Sequence, residues 1–429
     1  MSKKIGSFDA ALHQTEATIS DDGNWIAFTL KEPGSGTSQI YLAELQDWTD
    51  DESSSAVRNL VQVDGDLHGA GIAVSSRPFV STDGKFVVFQ SSRGLTSSTQ
   101  GSAQIFRYER ASKSVKQITA NTDGSNTQPS ISADGTRIAF ASDASNLIAN
   151  DTNGWEDVYV WDSRAPLTAA RFVRVSQSSG TPSGGADAPS DDPTISADGN
   201  FVAFTSFAND LAPVFSGAFY VKQNVFLYSM ADGQSYLVNS PESTGCKDLL
   251  HVETAAGSWP ICKANNGPQS SWHPVISGDG RYIAFITELP DLISTWDDGF
   301  GDWLPSEMRP PSWTPHPQTR VLLRDMNEGK FYVQSARAVT EDLSSRSVPA
   351  WYTTSIGYSS CANMTGKSIL DLSLSAQGSA TAFQVSDEAS HCVMQSNSFK
   401  SFGTPDPHTS WSVFLKDGKG QRSNSDPFP

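Results

Sequence analysis

The stretch DDPTISADGNFVAF, residues 191–204, decides the fold of this chain. It consists of an extended segment, the turn sequence Ala-Asp-Gly and a second extended segment of β-branched and aromatic residues. Glycine can adopt a positive φ at the end of a tight turn, and the preceding Asp can hydrogen-bond its own backbone, so the stretch predicts a β-hairpin. Five similar stretches occur: TEATISDDGNWIAF (15–28), SRPFVSTDGKFVVF (76–89), TQPSISADGTRIAF (127–140), WHPVISGDGRYIAF (272–285) and LDLSLSAQGSATAF (370–383).

Each hairpin is followed by a third strand-like segment and often by a fourth, such as NVFLYSM (224–230) and QSYLVNS (234–240). The repeat glycines lie 51 to 98 residues apart, which leaves room for long loops beyond a four-stranded unit of about 40–50 residues. Four strands per repeat, with no helical pattern between them, predict an all-β fold, a β-propeller of four-stranded antiparallel blades. We expect one domain over residues 1–429 with six blades, or seven as the alternative, and blades that begin near residues 16, 77, 128, 192, 273 and 371.

The repeats resemble those of the TolB-like β-propeller family, which read approximately P-x-[FIW]-S-x-D-G-x-x-[IV]-A-F. Four copies fit this pattern well, whereas the first has Ala17 in place of Pro and the sixth has Leu372 and Gln377 in place of Pro and Asp. The resemblance implies blades around a central channel and an interaction or binding role. We also expect the segment KKIGSFD (3–9) to supply the outer strand of the last blade and so to close the ring.

The charge balance limits the partners. The chain carries 47 acidic and 30 basic residues, a net charge of −17, which would repel nucleic-acid phosphates and anionic membrane surfaces. No apolar run is long enough to span a bilayer, and the first residues, MSKKIGSFDAALHQ, show no apolar core of a signal peptide. We therefore expect neither nucleic-acid binding nor membrane insertion, and the oligomeric state stays open.

The residue before the Pro of each repeat begins the innermost strand, which lines the channel in propellers of the resembled type. These residues are all polar, and we call them the ring residues: Glu16, Arg77, Gln128, Asp192, His273 and Asp371. Converging polar groups in a concave place indicate a site, with Asp192 and His273 as the acid and base. Arg77 and Gln128 would then bind ligand oxygens, and Glu16 and Asp371 would hold a cation or act as a second base. The alternative is that strand starts near a solvated channel are polar for that reason alone.

The second half of the chain contains three predicted inserts, at about 241–271, 294–319 and 336–370, with most of the Trp residues in or near them. Long loops of this kind are usually functional or disordered, and their Trp content argues against disorder. We expect the first two to lie at the ring end of the channel and to roof it. Trp272 is then a candidate to stack on a sugar or an aromatic ligand, or to anchor a protein partner. A small satellite core under the loops is the alternative.

One loop offers oxygen ligands for a metal ion. In NDTNGWEDVYV (150–160), Asp151, Asn153 and Asp157 resemble part of a calcium loop, although Asp162 stands where an EF-hand has its Glu. An Asx turn followed by an Asn-Gly turn explains the same residues. The histidines lack the spacing of a zinc protease and there is no C-x-x-C. Calcium is thus the only cofactor that the sequence suggests.

The four cysteines, at 246, 262, 361 and 392, bear on the compartment. Cys246 with Cys262 and Cys361 with Cys392 is one pairing, and four cysteines allow three. Disulfides would indicate an extracellular or periplasmic protein, whereas free thiols would fit the cytoplasm.

Three classes of function follow from these observations. The first is a propeller whose channel site binds a small polar, aromatic or carbohydrate ligand. The second is an enzyme, either a lyase or hydrolase on a polysaccharide or a biosynthetic enzyme on an aromatic substrate, that uses the carboxylates and His of the channel. The third is a protein interaction scaffold like the TolB propeller.

Overall fold

The computed structural model describes most of the first two thirds of the chain and short strands beyond them. The described residues are 2–4, 13–20, 24–31, 34, 36–45, 57–65, 74–92, 101–120, 122–166, 171–179, 184–212, 223–239, 249–254, 257–262, 270–278, 280, 282–287, 320–326, 330–333, 373–374, 380–381, 384–385, 391–396 and 412–417.

Within these residues the chain forms β-strands, as the alternating and β-branched segments predict. In chain order they are β1 (Ser2–Lys4), β2 (His13–Ile19), β3 (Trp25–Lys31), β4 (Ser38–Leu45), β5 (Val57–Gln62), β6 (Ser75–Val80), β7 (Phe86–Ser91), β8 (Gln104–Glu109), β9 (Ser114–Gln117), β10 (Asn126–Ile131), β11 (Arg137–Ser142), β12 (Asp157–Asp162), β13 (Phe172–Arg174), β14 (Ser190–Ile195), β15 (Phe201–Ser206), β16 (Asn224–Ser229), β17 (Gln234–Leu237), β18 (Leu249–Thr254), β19 (Gly257–Cys262), β20 (Ser271–Ile276), β21 (Tyr282–Thr287), β22 (Arg320–Asp325), β23 (Lys330–Val333), β24 (Ser373–Leu374), β25 (Ala380–Thr381), β26 (Gln384–Val385), β27 (His391–Ser396) and β28 (Ser412–Asp417).

Consecutive strands form the blades. Five sheets each contain four antiparallel strands in chain order, namely β2 to β5, β6 to β9, β10 to β13, β14 to β17 and β20 to β23. We number these blades 1 to 5, and in each the first strand is the inner one. The all-β class and the four-stranded antiparallel blade are therefore confirmed. Among the described residues, no helix is long and apolar enough to cross a bilayer.

Aromatic pairs hold the second and third strands of blades 1 to 4 together. Phe204 on β15 lies directly opposite Phe226 on β16, and their rings stack at 5.8 Å between centroids. Equivalent pairs at 5.7 to 6.0 Å occupy the same position in blades 1 to 3. Every residue of β15 is buried. Cross-strand aromatic pairs each add about 0.5–1.5 kcal/mol beyond the area that they bury, which explains why the repeat ends in Phe.

The hydrophobic core lies between the blades rather than within one of them. One cluster joins blades 1 and 2 through Ile40, Leu42 and Phe89, and another joins blades 4 and 5 through Val225 and Phe285. Further clusters join blades 2 and 3 and blades 3 and 4, so blades 2 to 4 bury both faces against their neighbours. This packing makes the repeats depend on one another.

The turn glycines confirm the predicted hairpins. Gly84, Gly135, Gly199 and Gly280 have φ between 67° and 73°, a region that other residues adopt only with strain. Consecutive turns also bond across the blades, since the Ala133 N–H donates to the Ala197 carbonyl at 2.8 Å. The turns thus form a belt at one end of the channel.

The ring closes through the two ends of the chain. β1 pairs antiparallel with β28, with Lys3 opposite Leu415, and the closing sheet runs in the order β1, β28, β27, β26. The prediction that the N-terminal segment supplies the outer strand of the last blade is confirmed for Ser2–Lys4.

The sixth repeat departs from the other five. Its hairpin, expected to begin near residue 371, forms the separate two-stranded sheet of β24 and β25, and the inner strands of the closing sheet are β26 and β27 instead. Leu372 and Gln377 replace the Pro and the Asp of the other repeats, which removes the bulge and turn signals. Residues 334–372 lie outside the described residues, so the choice between six and seven blades stays a prediction.

Candidate functional site

The five described ring residues share a rare backbone conformation. Their φ values lie between 51° and 54° in the left-handed region, and they are Glu16, Arg77, Gln128, Asp192 and His273. None is a glycine, so each conformation costs about 1–3 kcal/mol. The sixth ring residue of the sequence, Asp371, lies outside the described residues.

A β-bulge explains this conformation. In blade 4 the register with β15 shifts between Asp191 and Thr194, so Asp192 and Pro193 oppose a single residue. The same shift occurs in every inner strand from β2 to β20. Proline is tolerated at a bulge because the ladder requires no N–H there. The Pro of the repeat therefore marks the bulge, and the bulge directs the ring residue out of the regular strand pattern.

Ring residues bond from blade to blade. The Arg77 N–H donates to Glu16 Oε2 at 2.9 Å and the Asp192 N–H donates to Gln128 Oε1 at 2.8 Å. The Arg77 side chain has no acceptor atom for the next contact, between blades 2 and 3. There Gln90 of β7 accepts from the Gln128 N–H at 2.8 Å instead. These side chains thus staple adjacent inner strands, a structural role that the sequence did not predict.

Asp192 and His273 form the one described ring contact between two ionisable side chains. Asp192 Oδ2 bonds His273 Nδ1, and the two side chains are 20% and 46% exposed. Burial around the imidazole lowers its pKa, but the hydrogen bond and the charge of Asp192 outweigh this effect, and the pKa of His273 is raised. The structure therefore brings together the two residues that the sequence pairs as acid and base.

Arg77 supplies a positive charge at the same place. Its side chain is exposed, and among the described residues its guanidinium has no hydrogen-bond or ion-pair partner. Its charge acts on His273, whose pKa it lowers slightly against the effect of Asp192. The guanidinium is therefore available to an anionic group of a ligand.

Asp191 lies beside the ring and was not predicted from the sequence. Its carboxylate accepts hydrogen bonds from the Thr205 hydroxyl and, at 3.4 Å, from Gln223 Nε2. Burial and the nearby charge of Asp192 raise its pKa. Two adjacent carboxylates thus lie on this side of the channel mouth.

Glu156, at the end of the loop before β12, also reaches the ring. Its Oε1 accepts from the Thr127 hydroxyl at 3.4 Å, directly before Gln128, and its carbonyl accepts from the Ser190 N–H at 2.8 Å. Burial raises the pKa of Glu156, and the charges of Asp191 and Asp143 raise it further. Its neighbour Trp155 is 48% exposed. Sequence reasoning missed both residues, because they lie within the loop that resembles a calcium site.

Trp272 lies on β20 directly before His273. It is half-buried and faces Ile286 across the ladder, a position equivalent to that of Asp191. The structure therefore places this candidate beside the ring.

The proposed calcium ligands contact an arginine instead. Arg174 Nη1, from β13, donates to Asp151 Oδ1 at 3.1 Å and lies 3.5 Å from Asp157 Oδ2. Asn153 Nδ2 donates to the same Oδ2 of Asp157 at 2.9 Å, and burial raises the pKa of Asp157 to about 6. The carboxylate oxygens thus bind a buried guanidinium. Among the described residues, no group of three or more His, Cys, Asp or Glu is arranged to hold a metal ion.

The predicted roof lies largely outside the described residues, as do Cys246 and Cys361, so neither the roof nor the disulfides are tested. The insert at about 241–271 ends where β20 begins at Ser271, and Ser271 pairs with Thr287, after which the insert at 294–319 follows. Both inserts are therefore attached to blade 5 at the end where His273 lies. Of the first insert, the strands β18 and β19 form an antiparallel hairpin.

Comparison with known proteins identifies no family. No family model matches the chain, and no curated protein matches it.

The fold resembles that of TolB. TolB from Acinetobacter baumannii is 16% identical over 84% of this chain and 63% of its own, with a TM-score of 0.40. The putative TolB from Agrobacterium tumefaciens is 14% identical over 75% of this chain and 79% of its own, with a TM-score of 0.39. An oligogalacturonate lyase from Vibrio parahaemolyticus is 10% identical over 96% of this chain and 92% of its own, with a TM-score of 0.46. Similarity at this level concerns the fold alone.

Proposed function

We propose that this protein binds a small polar ligand at the ring end of its channel, through Arg77 and His273. The observation that carries the proposal is the contact between Asp192 and His273, whose imidazole is 46% exposed. Asp192 takes Nδ1 of the imidazole, which leaves Nε2 for a ligand. A carboxylate on the ligand fits best, because the planar guanidinium of Arg77 matches two oxygens and a protonated imidazole adds a second donor.

Joining neighbouring blades is a second role at the ring, and it is performed by side chains other than Arg77 and His273. Stapling uses Glu16, Gln90 and Gln128, whose oxygens accept backbone N–H groups of the next blade. No described hydrogen bond of this kind uses the Arg77 guanidinium or the imidazole of His273 on a neighbouring backbone. The guanidinium of Arg77 and Nε2 of His273 thus remain for a ligand.

Acid–base catalysis at the same site is a second candidate. A carboxylate that orients an imidazole is the arrangement of a general base, with the carboxylate holding one nitrogen and the other facing the substrate. The direct contact between Asp192 and His273 favours this candidate, but binding needs fewer assumptions. Calcium at Asp151 and Asp157 is not part of the proposal, since the ion would have to displace Arg174.

Ligand binding is tested by thermal shift, because a ligand that binds only the folded state raises the melting temperature. The panel contains small carboxylic acids, neutral sugars and aromatic acids at millimolar concentration. We expect the acids to stabilise the wild-type protein, and Arg77→Gln and His273→Gln each to remove most of that effect. Lys85→Gln, an exposed change in the turn at the opposite end of β6, is the matched control. Stabilisation by no compound, or by acids equally in all variants, would contradict the proposal.

A further inference from the structure

The residue before the third strand has the same backbone role in blades 2, 3 and 4. Its carbonyl accepts a hydrogen bond from the first residue of the next inner strand: Ala103 from Asn126 at 2.7 Å, Glu156 from Ser190 at 2.8 Å and Gln223 from Ser271 at 2.9 Å. Because Ala103 performs this role as well as the others, the fold requires no side chain beyond Cβ at the position. The carboxylate of Glu156 therefore needs another explanation.

Keeping that carboxylate where it is has a cost. Its pKa is raised by burial and by the neighbouring charges of Asp191 and Asp143, so the ionised form is disfavoured in this place. Its described hydrogen bond, from Thr127 at 3.4 Å, is long. A glutamate that the backbone does not need and the surroundings disfavour is typical of a functional position.

Trp155 is equally unnecessary to the fold. It is 48% exposed, and the equivalent residue in blade 2 is Ser102. An exposed indole is an anchor for ligands because it offers a large rigid surface with little conformational entropy to lose.

Hydrogen bonds of Asn153 hold the loop that carries Trp155 and Glu156. Asn153 Oδ1 accepts from the Trp155 N–H at 3.3 Å, and Asn153 Nδ2 donates to Asp157 and to the Ala186 carbonyl at 3.2 Å. Asp157 in turn is fully buried and accepts from Ser176 at 2.6 Å. The buried network thus presents Trp155 and Glu156 in one fixed arrangement before a ligand arrives, which lowers the entropic cost of binding.

We propose that Trp155 and Glu156 determine specificity at the channel mouth by binding an ammonium group, so that the ligand is a small zwitterion with its carboxylate at Arg77. The inference rests on the proposed function and names the other end of the ligand. An indole face attracts a cation, and the carboxylates of Glu156 and Asp191 make the place negative. Blades 2 and 3 are neighbours, so a ligand that bridges them meets charges of both signs.

The test uses ω-amino carboxylic acids of increasing length, from glycine to 6-aminohexanoate, each with its amine-free acid and its acid-free amine as matched probes. Binding to the full chain is measured by isothermal titration calorimetry. We expect one length to bind the wild-type protein about tenfold more tightly than the acid alone, the order of gain of a cation on an aromatic face. Trp155→Ser and Glu156→Gln should remove this advantage and leave binding of the acid unchanged, whereas Trp155→Phe should retain part of it.

The outcomes separate the two proposals. If acids bind through Arg77 and an added amine gives no advantage at any length, the zwitterion is refuted and the proposed function stands. If the advantage survives Trp155→Ser, the assignment of the residue is wrong. Binding of no probe refutes both. Folding of the variants is checked by their melting temperatures. Glu156→Ala, which introduces the side chain that blade 2 has at Ala103, should melt no lower than the wild-type protein.

Discussion

Residues at the channel mouth combine a backbone constraint with a chemical one. The bulge holds each described ring residue in a left-handed conformation and turns its N–H toward the preceding blade, where Glu16, Gln90 or Gln128 accepts it in three of the blade contacts. At the contact between blades 4 and 5, two side chains meet instead, and both can ionise. Among the described ring contacts, the one without such a side-chain-to-backbone bond is thus the one between two ionisable side chains, which favours the proposed site there.

The buried carboxylate of Asp157 predicts a pH-dependent stability. Its pKa in the folded protein is about 6, above the ordinary value of 3.8, so its contribution is fully present below pH 3.8 and is lost as the pH rises through 6. Two pKa units correspond to about 3 kcal/mol. Because wild type loses this contribution and Asp157→Asn does not, we expect the free energy of unfolding of Asp157→Asn minus that of wild type to increase by up to about that amount between pH 4 and pH 7, measured by urea denaturation.

The difference in unfolding free energy between Asp157→Asn and wild type has a part that is constant with pH and a part that changes with pH. Loss of an acceptor for Arg174 and Ser176 lowers the stability of Asp157→Asn at every pH, whereas only the titration changes with pH. Asp123→Asn, whose carboxylate is exposed and has a lowered pKa, is the control and should show the opposite sign. A difference between Asp157→Asn and wild type that is constant with pH would contradict the raised pKa.

The sequence located the ring residues but not their neighbours, for a physical reason. The turn fixes the ring position by local chemistry and a Pro follows the ring residue in four of the five described repeats, so counting back from each turn finds all five described members. Glu156 comes from the loop before β12 and Arg174 from β13, and only the pairing of strands within blade 3 brings them to Thr127 and Asp157. The sequence shows the oxygen-bearing residues Asp151 and Asp157 of the calcium-like loop. Their partner, the guanidinium of Arg174, lies 17 to 23 residues further along the chain and could not be paired with them from sequence.

At the scale of the element, the repeated hairpin couples each blade to the one before it. A Cβ at Gly135 would collide with the ring of Phe86, the first residue of β7 in the preceding blade, and Gly280 has the same relation to Phe201. The sequence predicted the turn glycines from their positive φ. The close approach of the neighbouring blade is a second requirement, and it depends on how the blades pack, which no single repeat reveals.

Two of these glycines separate the requirements. Gly135 and Gly199 have φ of 69° and 72°, so an added Cβ costs each the same backbone strain, about 1–2 kcal/mol. At Gly199 the nearest atom to such a Cβ is Arg137 Cδ at 3.0 Å, whereas at Gly135 it is the Phe86 ring at 2.4 Å. We expect Gly135→Ala to lower the free energy of unfolding by about 1–3 kcal/mol more than Gly199→Ala, the usual range for overpacking, measured by chemical denaturation.

A second pair of variants identifies the cause of that difference. Phe86→Leu enlarges the space beside Gly135, so the double variant with Gly135→Ala should be more stable than the sum of the single changes indicates. Equal losses for Gly135→Ala and Gly199→Ala would show that φ alone selects the glycine.

For the whole molecule, the order of strands makes stability depend on closure. Blades 1 to 5 are each built from neighbouring segments, but the closing sheet joins Ser2–Lys4 to Ser412–Asp417, the two extremes of the described chain. A ring closed in this way couples the interfaces between blades to one another. The same closure keeps blades 1 and 5, and with them Glu16 and His273, in fixed places around the channel.

Closure predicts the effect of proline in β1. Replacing Lys3 and Lys4 by proline removes two backbone donors from β1 and opposes its pairing with β28. We expect a lower melting temperature, together with faster hydrogen exchange of the amides of Ser412–Asp417, because their ladder partner is lost. The same two positions changed to threonine, a good strand former, are the matched control and should leave both measurements near those of the wild-type protein. Deletion of residues 1–9 should resemble the proline variant. If the proline variant and the threonine control melt together and exchange alike, β1 does not close the ring, and the last blade must be completed by another segment of the chain.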